Sequence, residues 1–104
     1  MPEKRVSLDQ IATIDDDNVV SRDLEGEAVI LNLKSGTYFG LNEVGTRIWA
    51  LIPEHRSLRK VFEALKKEYE VSPEALENDL LELVDQLQAK GLVSLAQPDG
   101  RNKA

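Results

Sequence analysis

A chain of 104 residues with 41% apolar content is sized for one compact domain with its own core, and is too short for two independent substrate-binding domains. Its 13 Lys and Arg against 19 Asp and Glu leave a formal charge of -6, the wrong overall field for wrapping a phosphate backbone. The absence of Cys excludes disulfides and Cys-ligated zinc. The first ten residues, MPEKRVSLDQ, lack the apolar run of a secretory signal, and no apolar stretch could cross a bilayer, so a cytoplasmic location is expected.

Residues 1–18 show no sustained period and end in Asp15, Asp16, Asp17 and Asn18. They read as a flexible arm, or as an extra strand in which Val6, Leu8, Ile11 and Ile14 add to a sheet edge in this chain or a second copy. Val19 and Val20 open a first strand that leads into a turn at Leu24-Glu25-Gly26-Glu27. Glu27 to Leu33 alternates as a second strand, with Val29, Leu31 and Leu33 on one face and Ala28, Ile30 and Asn32 on the other. The first, more apolar face is expected to meet the core.

Lys34-Ser35-Gly36 is a second turn signal, and Thr37 to Leu41 suits a third strand, with Phe39 and Leu41 facing inward and Tyr38 and Gly40 outward. Gly40 is expected to leave room for another part of the chain to approach. Asn42 and Glu43 open a helix carrying Val44, Ile48, Trp49, Leu51 and Ile52, which Pro53 is expected to stop. Trp49 reads as a core anchor. Ser57 caps a second helix whose Leu58, Val61, Phe62, Leu65 and Tyr69 recur every three or four residues. Ser72-Pro73-Glu74 starts a third, running to about Lys90 before Gly91, with Leu76, Leu80, Leu81, Leu83, Val84 and Leu87 as its broad apolar stripe. The closing LVSL reads as a short extended segment, and residues 96–104 as a polar tail.

Chemistry-bearing residues are sparse. His55, the only histidine, lies in the turn-like stretch Pro53-Glu54-His55-Arg56 and has no partner for a zinc site. Asp15-Asp16-Asp17 lacks the ligand spacing of a calcium loop. Asp79, Glu82 and Asp85 recur at the intervals of a solvated helix face. The serines stand in no nucleophile motif, and Gly36, Gly40 and Gly45 form no phosphate loop. An autonomous enzyme is disfavoured, and no cofactor or metal is required by these residues.

The segments VVSRDLEGEAVILNLKSGTYFGLNEVGTRIWALI, SLRKVFEALKKEY and VSPEALENDLLELVDQLQAKGLV, covering residues 19–95, resemble the PqqD-like family of peptide-binding domains. The resemblance implies an α+β, winged-helix-like domain in which a three-stranded antiparallel sheet is followed by three helices. It also implies a non-catalytic RiPP recognition element, which binds the leader peptide of a ribosomally made precursor and presents it to a separate modifying enzyme. The leader would extend the sheet at Thr37, Tyr38, Phe39, Gly40 and Leu41, beside a helical wall of Leu76, Leu80, Leu83, Val84 and Leu87. Arg47 or Lys90 would pair with an acidic leader residue. The partner enzyme would be a radical iron-sulfur enzyme, as in PQQ biosynthesis, or a protease or cyclase in other precursor-modification systems. Two alternatives stand beside this reading: a winged-helix DNA-binding regulator using Arg59, Lys60, Lys66 and Lys67, and a structural homodimerisation domain.

Overall fold

The structure, a computed structural model, describes residues 6–14 and 17–97. In chain order the elements are β1 (Ile11–Ile14), β2 (Val19–Leu24), β3 (Glu27–Asn32), β4 (Tyr38–Gly40), α1 (Glu43–His55), α2 (Leu58–Glu68), α3 (Pro73–Ala89) and β5 (Val93–Ala96). Strands β2, β3 and β4 form an antiparallel sheet in that order and lead into the three helices, as the α+β reading expects. A second sheet pairs β1 with β5.

Two turns set the register of the three-stranded sheet. Between β2 and β3, Glu25 and Gly26 take φ values of 60° and 88°, the left-handed pair whose twist matches that of a hairpin. The Gly26 N–H donates to Asp23 Oδ1 at 2.8 Å. Between β3 and β4, Asn32 holds the loop: its Oδ1 accepts from the Lys34 and Ser35 amides at 2.9 and 3.2 Å, and its Nδ2 donates to the Gly91 carbonyl at 3.1 Å. Each bond satisfies a polar group that burial would otherwise penalise.

This role for Asn32 reverses the expected faces of β3. Ala28, Ile30 and Asn32 are buried, whereas Val29 and Leu33 are 37% and 55% exposed. The more apolar alternate set lost because Asn32, turned inward, bonds through both its amide oxygen and its amide nitrogen, while cross-strand neighbours Val20, Leu31 and Tyr38 leave an open outer face. Phe39 and Leu41 do face inward as expected.

Side chains cap all three helices: Asn42 Oδ1 accepts from Gly45 N–H, Ser57 Oγ from Lys60 N–H and Ser72 Oγ from Ala75 N–H. Pro53 does not stop α1, contrary to expectation, and His55 accordingly belongs to the last helical turn. A proline so close to the end forfeits little further helix, and the stop comes at Arg56, whose φ of 62° turns the chain while its N–H bonds the Ile52 carbonyl. The helices close over Ile30 with Ile48, Leu51, Ile52, Leu58, Val61, Leu65, Leu80, Val84 and Leu87. Trp49 is buried as a core anchor, and its indole N–H donates to Ser21 Oγ at 3.2 Å.

Before β2, Val6, Leu8 and Ala12 are buried, and β1 lies between β5 and the link from α1 to α2. Ala12 N–H donates to the Arg56 carbonyl and Leu58 N–H to that of Gln10. The extra strand thus pairs with the closing segment, not with the three-stranded sheet. Asp15 and Asp16 of the acidic cluster, and residues 98–104 of the expected tail, lie outside the described residues. No helix among the described residues is long and apolar enough to cross a membrane.

Candidate functional site

Strand β4 is an edge, and two hydrogen bonds decide what that edge offers. Leu41 N–H donates to the Ala28 carbonyl and Asn32 N–H to the Thr37 carbonyl, both at 2.8 Å, with Phe39 opposite Ile30 between them. In an antiparallel ladder the backbone groups alternate sides. Thr37, Phe39 and Leu41 therefore turn their amides toward β3, and Tyr38 and Gly40 turn N–H and C=O outward. Tyr38 is 73% exposed, and nothing lies within 4 Å of where a Cβ on Gly40 would sit. No part of the described chain makes the close approach expected at Gly40, so the space over it is open.

Beside this edge runs an open groove of about 350 Å³. Phe39, Gly40 and Leu41 form one side, the start of α1 contributes Asn42, Val44, Gly45 and Ile48, and α3 supplies Asp79, Glu82, Leu83 and Gln86. The expected helical wall is thus only partly in place. Leu83 opens on the groove, but Leu76, Leu80, Val84 and Leu87 are shut in the core, because the stripe that packs α3 against the other helices consumes them. Asp79 and Glu82, which the sequence presents as ordinary solvated residues, line the groove with Gln86, whereas Asp85 does not. Only a knowledge of which flank of α3 meets β4 would have singled them out.

The two polar contacts expected at the groove separate. Arg47 is not among its lining residues: it makes a two-pronged bond to Glu68 of α2, with N–O distances of 2.8 and 2.7 Å. These hydrogen bonds raise the Arg47 pKa and hold the Glu68 carboxyl below its ordinary range. Lys90 is not a lining residue either, but its Nζ lies 5.7 Å from the centre of the ring of Phe39, which is.

The cations proposed to read DNA are partly engaged. Arg59 pairs with Asp9 at 2.7 Å, and Lys66 pairs with Glu63 at 3.3 Å while lying over the Phe62 ring. His55 stands 3.7 Å from Glu54. Among the described residues no group of three His, Asp or Glu side chains is placed to hold a metal ion.

A three-stranded antiparallel sheet with a bare edge, a groove along that edge and three helices behind it define an α+β domain. The protein belongs to the family described as coenzyme PQQ synthesis protein D (PqqD), whose model matches residues 27–93. Among solved structures it is similar to TbiB1 in complex with the TbiA(beta) leader peptide, at 36% identity and a TM-score of 0.71, over 88% of this chain and 99% of that one. It is also similar to lasso peptide synthetase B1 complexed with the leader peptide, at 25% identity and a TM-score of 0.70, over 80% of this chain and 96% of that one. The comparison with curated proteins gave no match.

Proposed function

We propose that this protein binds the leader peptide of a ribosomally made precursor and presents it, without itself making or breaking a bond, to a separate modifying enzyme in the cytoplasm. The observation that carries the reading is the outward set of N–H and C=O groups on Tyr38 and Gly40, alongside a groove with apolar floor residues. A peptide strand laid there bonds to the backbone, and its alternate side chains enter the groove beside Leu83. The similarity to two proteins solved with leader peptides supports leader binding. Tethering a precursor raises its local concentration at an enzyme and restricts its orientation, which accelerates a reaction the domain does not catalyse. The partner is a radical iron-sulfur enzyme, a protease or a cyclase.

The test is an NMR titration of the labelled full chain with the leader regions of precursor peptides encoded beside its gene. Saturable shifts of the Tyr38 and Gly40 amides and of Leu83 are expected. Saturable shifts confined to the outer face around Val20 and Val29, or the absence of binding across the set, would overturn the assignment.

A further inference from the structure

The groove and the residue that flanks it past the end of α3, Lys90, are together graded in charge. Along α3, Asp79, Glu82, Leu83, Gln86 and Lys90 follow one another at helical spacing, two carboxylates first, then a leucine and an amide, then an ammonium. Asp79 and Glu82 are exposed, and neither is engaged in an ion pair or side-chain hydrogen bond among the described residues, so their charge is available to a ligand. The direction of the gradient relative to β4 follows from two contacts. Asn32, the partner of Thr37, bonds to Gly91 just past α3, and Lys90 lies over Phe39. The cationic end therefore adjoins the start of β4 and the acidic end adjoins Gly40 and Asn42, which share the groove with Asp79.

The lengths agree. From Asp79 to Lys90 a helix rises about 16 Å, and from Thr37 to Asn42 an extended strand covers about 16 Å. The gradient thus spans the strand edge once, and an extended peptide of about five residues bridges its poles.

We infer that the groove selects its peptide by charge polarity: the strand it takes runs antiparallel to β4, with a Lys or Arg facing Asp79 and Glu82 and, on the same face of the strand about four or six residues later, an Asp or Glu facing Lys90. The inference rests on the peptide-binding reading above and names the chemistry of the peptide. Antiparallel addition continues the pattern of the existing sheet and is the slightly more stable pairing per residue. In that direction the N-terminal side of the peptide lies at the Gly40 end, which puts the cation first. A peptide with the reversed order sets like charges against each other at both poles.

Fluorescence anisotropy with a labelled leader peptide that binds the wild-type chain tests this. Combining Asp79→Asn with Glu82→Gln, two exposed positions outside the core, is expected to weaken binding roughly 3- to 10-fold at low salt. Most of that difference should vanish as salt shortens the screening length. Reversal by Asp79→Lys with Glu82→Lys should weaken binding further, and replacing the cation of the peptide by Glu should restore it to that variant alone. Equal affinity of wild type and neutralised variant, or a bound leader with no cation at that position, overturns the charge selection while strand addition stands. Failure of every leader to bind the wild-type chain removes both.

Discussion

Two proline substitutions one residue apart separate binding from folding at the strand edge. Gly40 turns its N–H outward and is not among the residues with positive φ, so Gly40→Pro leaves the β3–β4 bonds intact and removes only a donor that faces the ligand. Losing one backbone hydrogen bond costs about 0.5–1.5 kcal/mol of binding, and the pyrrolidine ring also stands where the peptide backbone must approach. A loss of tenfold or more in affinity is therefore expected. Fold stability should move by less than about 1 kcal/mol, since replacing a glycine also restricts the unfolded chain. Leu41→Pro does the opposite: it deletes the 2.8 Å bond to the Ala28 carbonyl and a buried side chain, and should cost about 3 kcal/mol or more of stability. Leader affinity by calorimetry and unfolding in urea give both numbers for each variant. If Gly40→Pro keeps full affinity, or destabilises as much as Leu41→Pro, the outward assignment of Gly40 is wrong.

The same contrast holds on α3, where Leu83→Asp should weaken leader binding with helical content retained by circular dichroism, while Leu80→Asp buries an unpaired carboxylate and should unfold the chain. Asn32→Ala leaves the Lys34 and Ser35 amides and the Gly91 carbonyl without their side-chain partner, and should cost about 2–3 kcal/mol in urea unfolding. The Arg47–Glu68 bond contributes below about 1 kcal/mol because both side chains are partly exposed. Since Glu68 has its pKa lowered in the folded state, that contribution is present above the ordinary glutamate range and is lost as pH falls through the folded value. Stability of Glu68→Gln should therefore match wild type at acid pH and fall slightly below it at neutral pH.

Much of the architecture was legible in the sequence because its signals are local. Ser57 and Ser72 announce helix starts, Gly26 marks a hairpin, and the three- and four-residue recurrence of Leu58, Val61, Phe62 and Leu65 marks a buried stripe. The errors came where a distant partner decides. The inward face of β3 depends on Gly91, far along the chain, accepting a bond from Asn32. The end of α1 depends on Arg56, which takes a left-handed turn in spite of its side chain, and whose carbonyl is held by Ala12. The candidate site shows the same division: the alternation of Phe39 and Tyr38 could be read from β-strand period, but which flank of α3 faces the groove could not. A broad leucine stripe hides that boundary, since Leu80 and Leu83 differ in hydropathy by nothing and in environment by everything.

The pairing of β1 with β5 has a consequence for how the protein is made. The partners of Ile11–Ile14 lie at Val93–Ala96, so β1 waits for nearly the whole domain to be synthesised. At bacterial or eukaryotic rates of about 5–20 residues per second that wait is roughly 4 to 16 seconds, far longer than a hairpin such as β2–β3 needs to form. Strand β4 and the β2–β3 hairpin beside it are synthesised before the strand pair can form, and Val6, Leu8 and Ala12 meet their full apolar surroundings only at the end. During translation β1 therefore stays without its strand partner until Val93–Ala96 has been made, and its half of the small sheet is the last pairing of the domain to close.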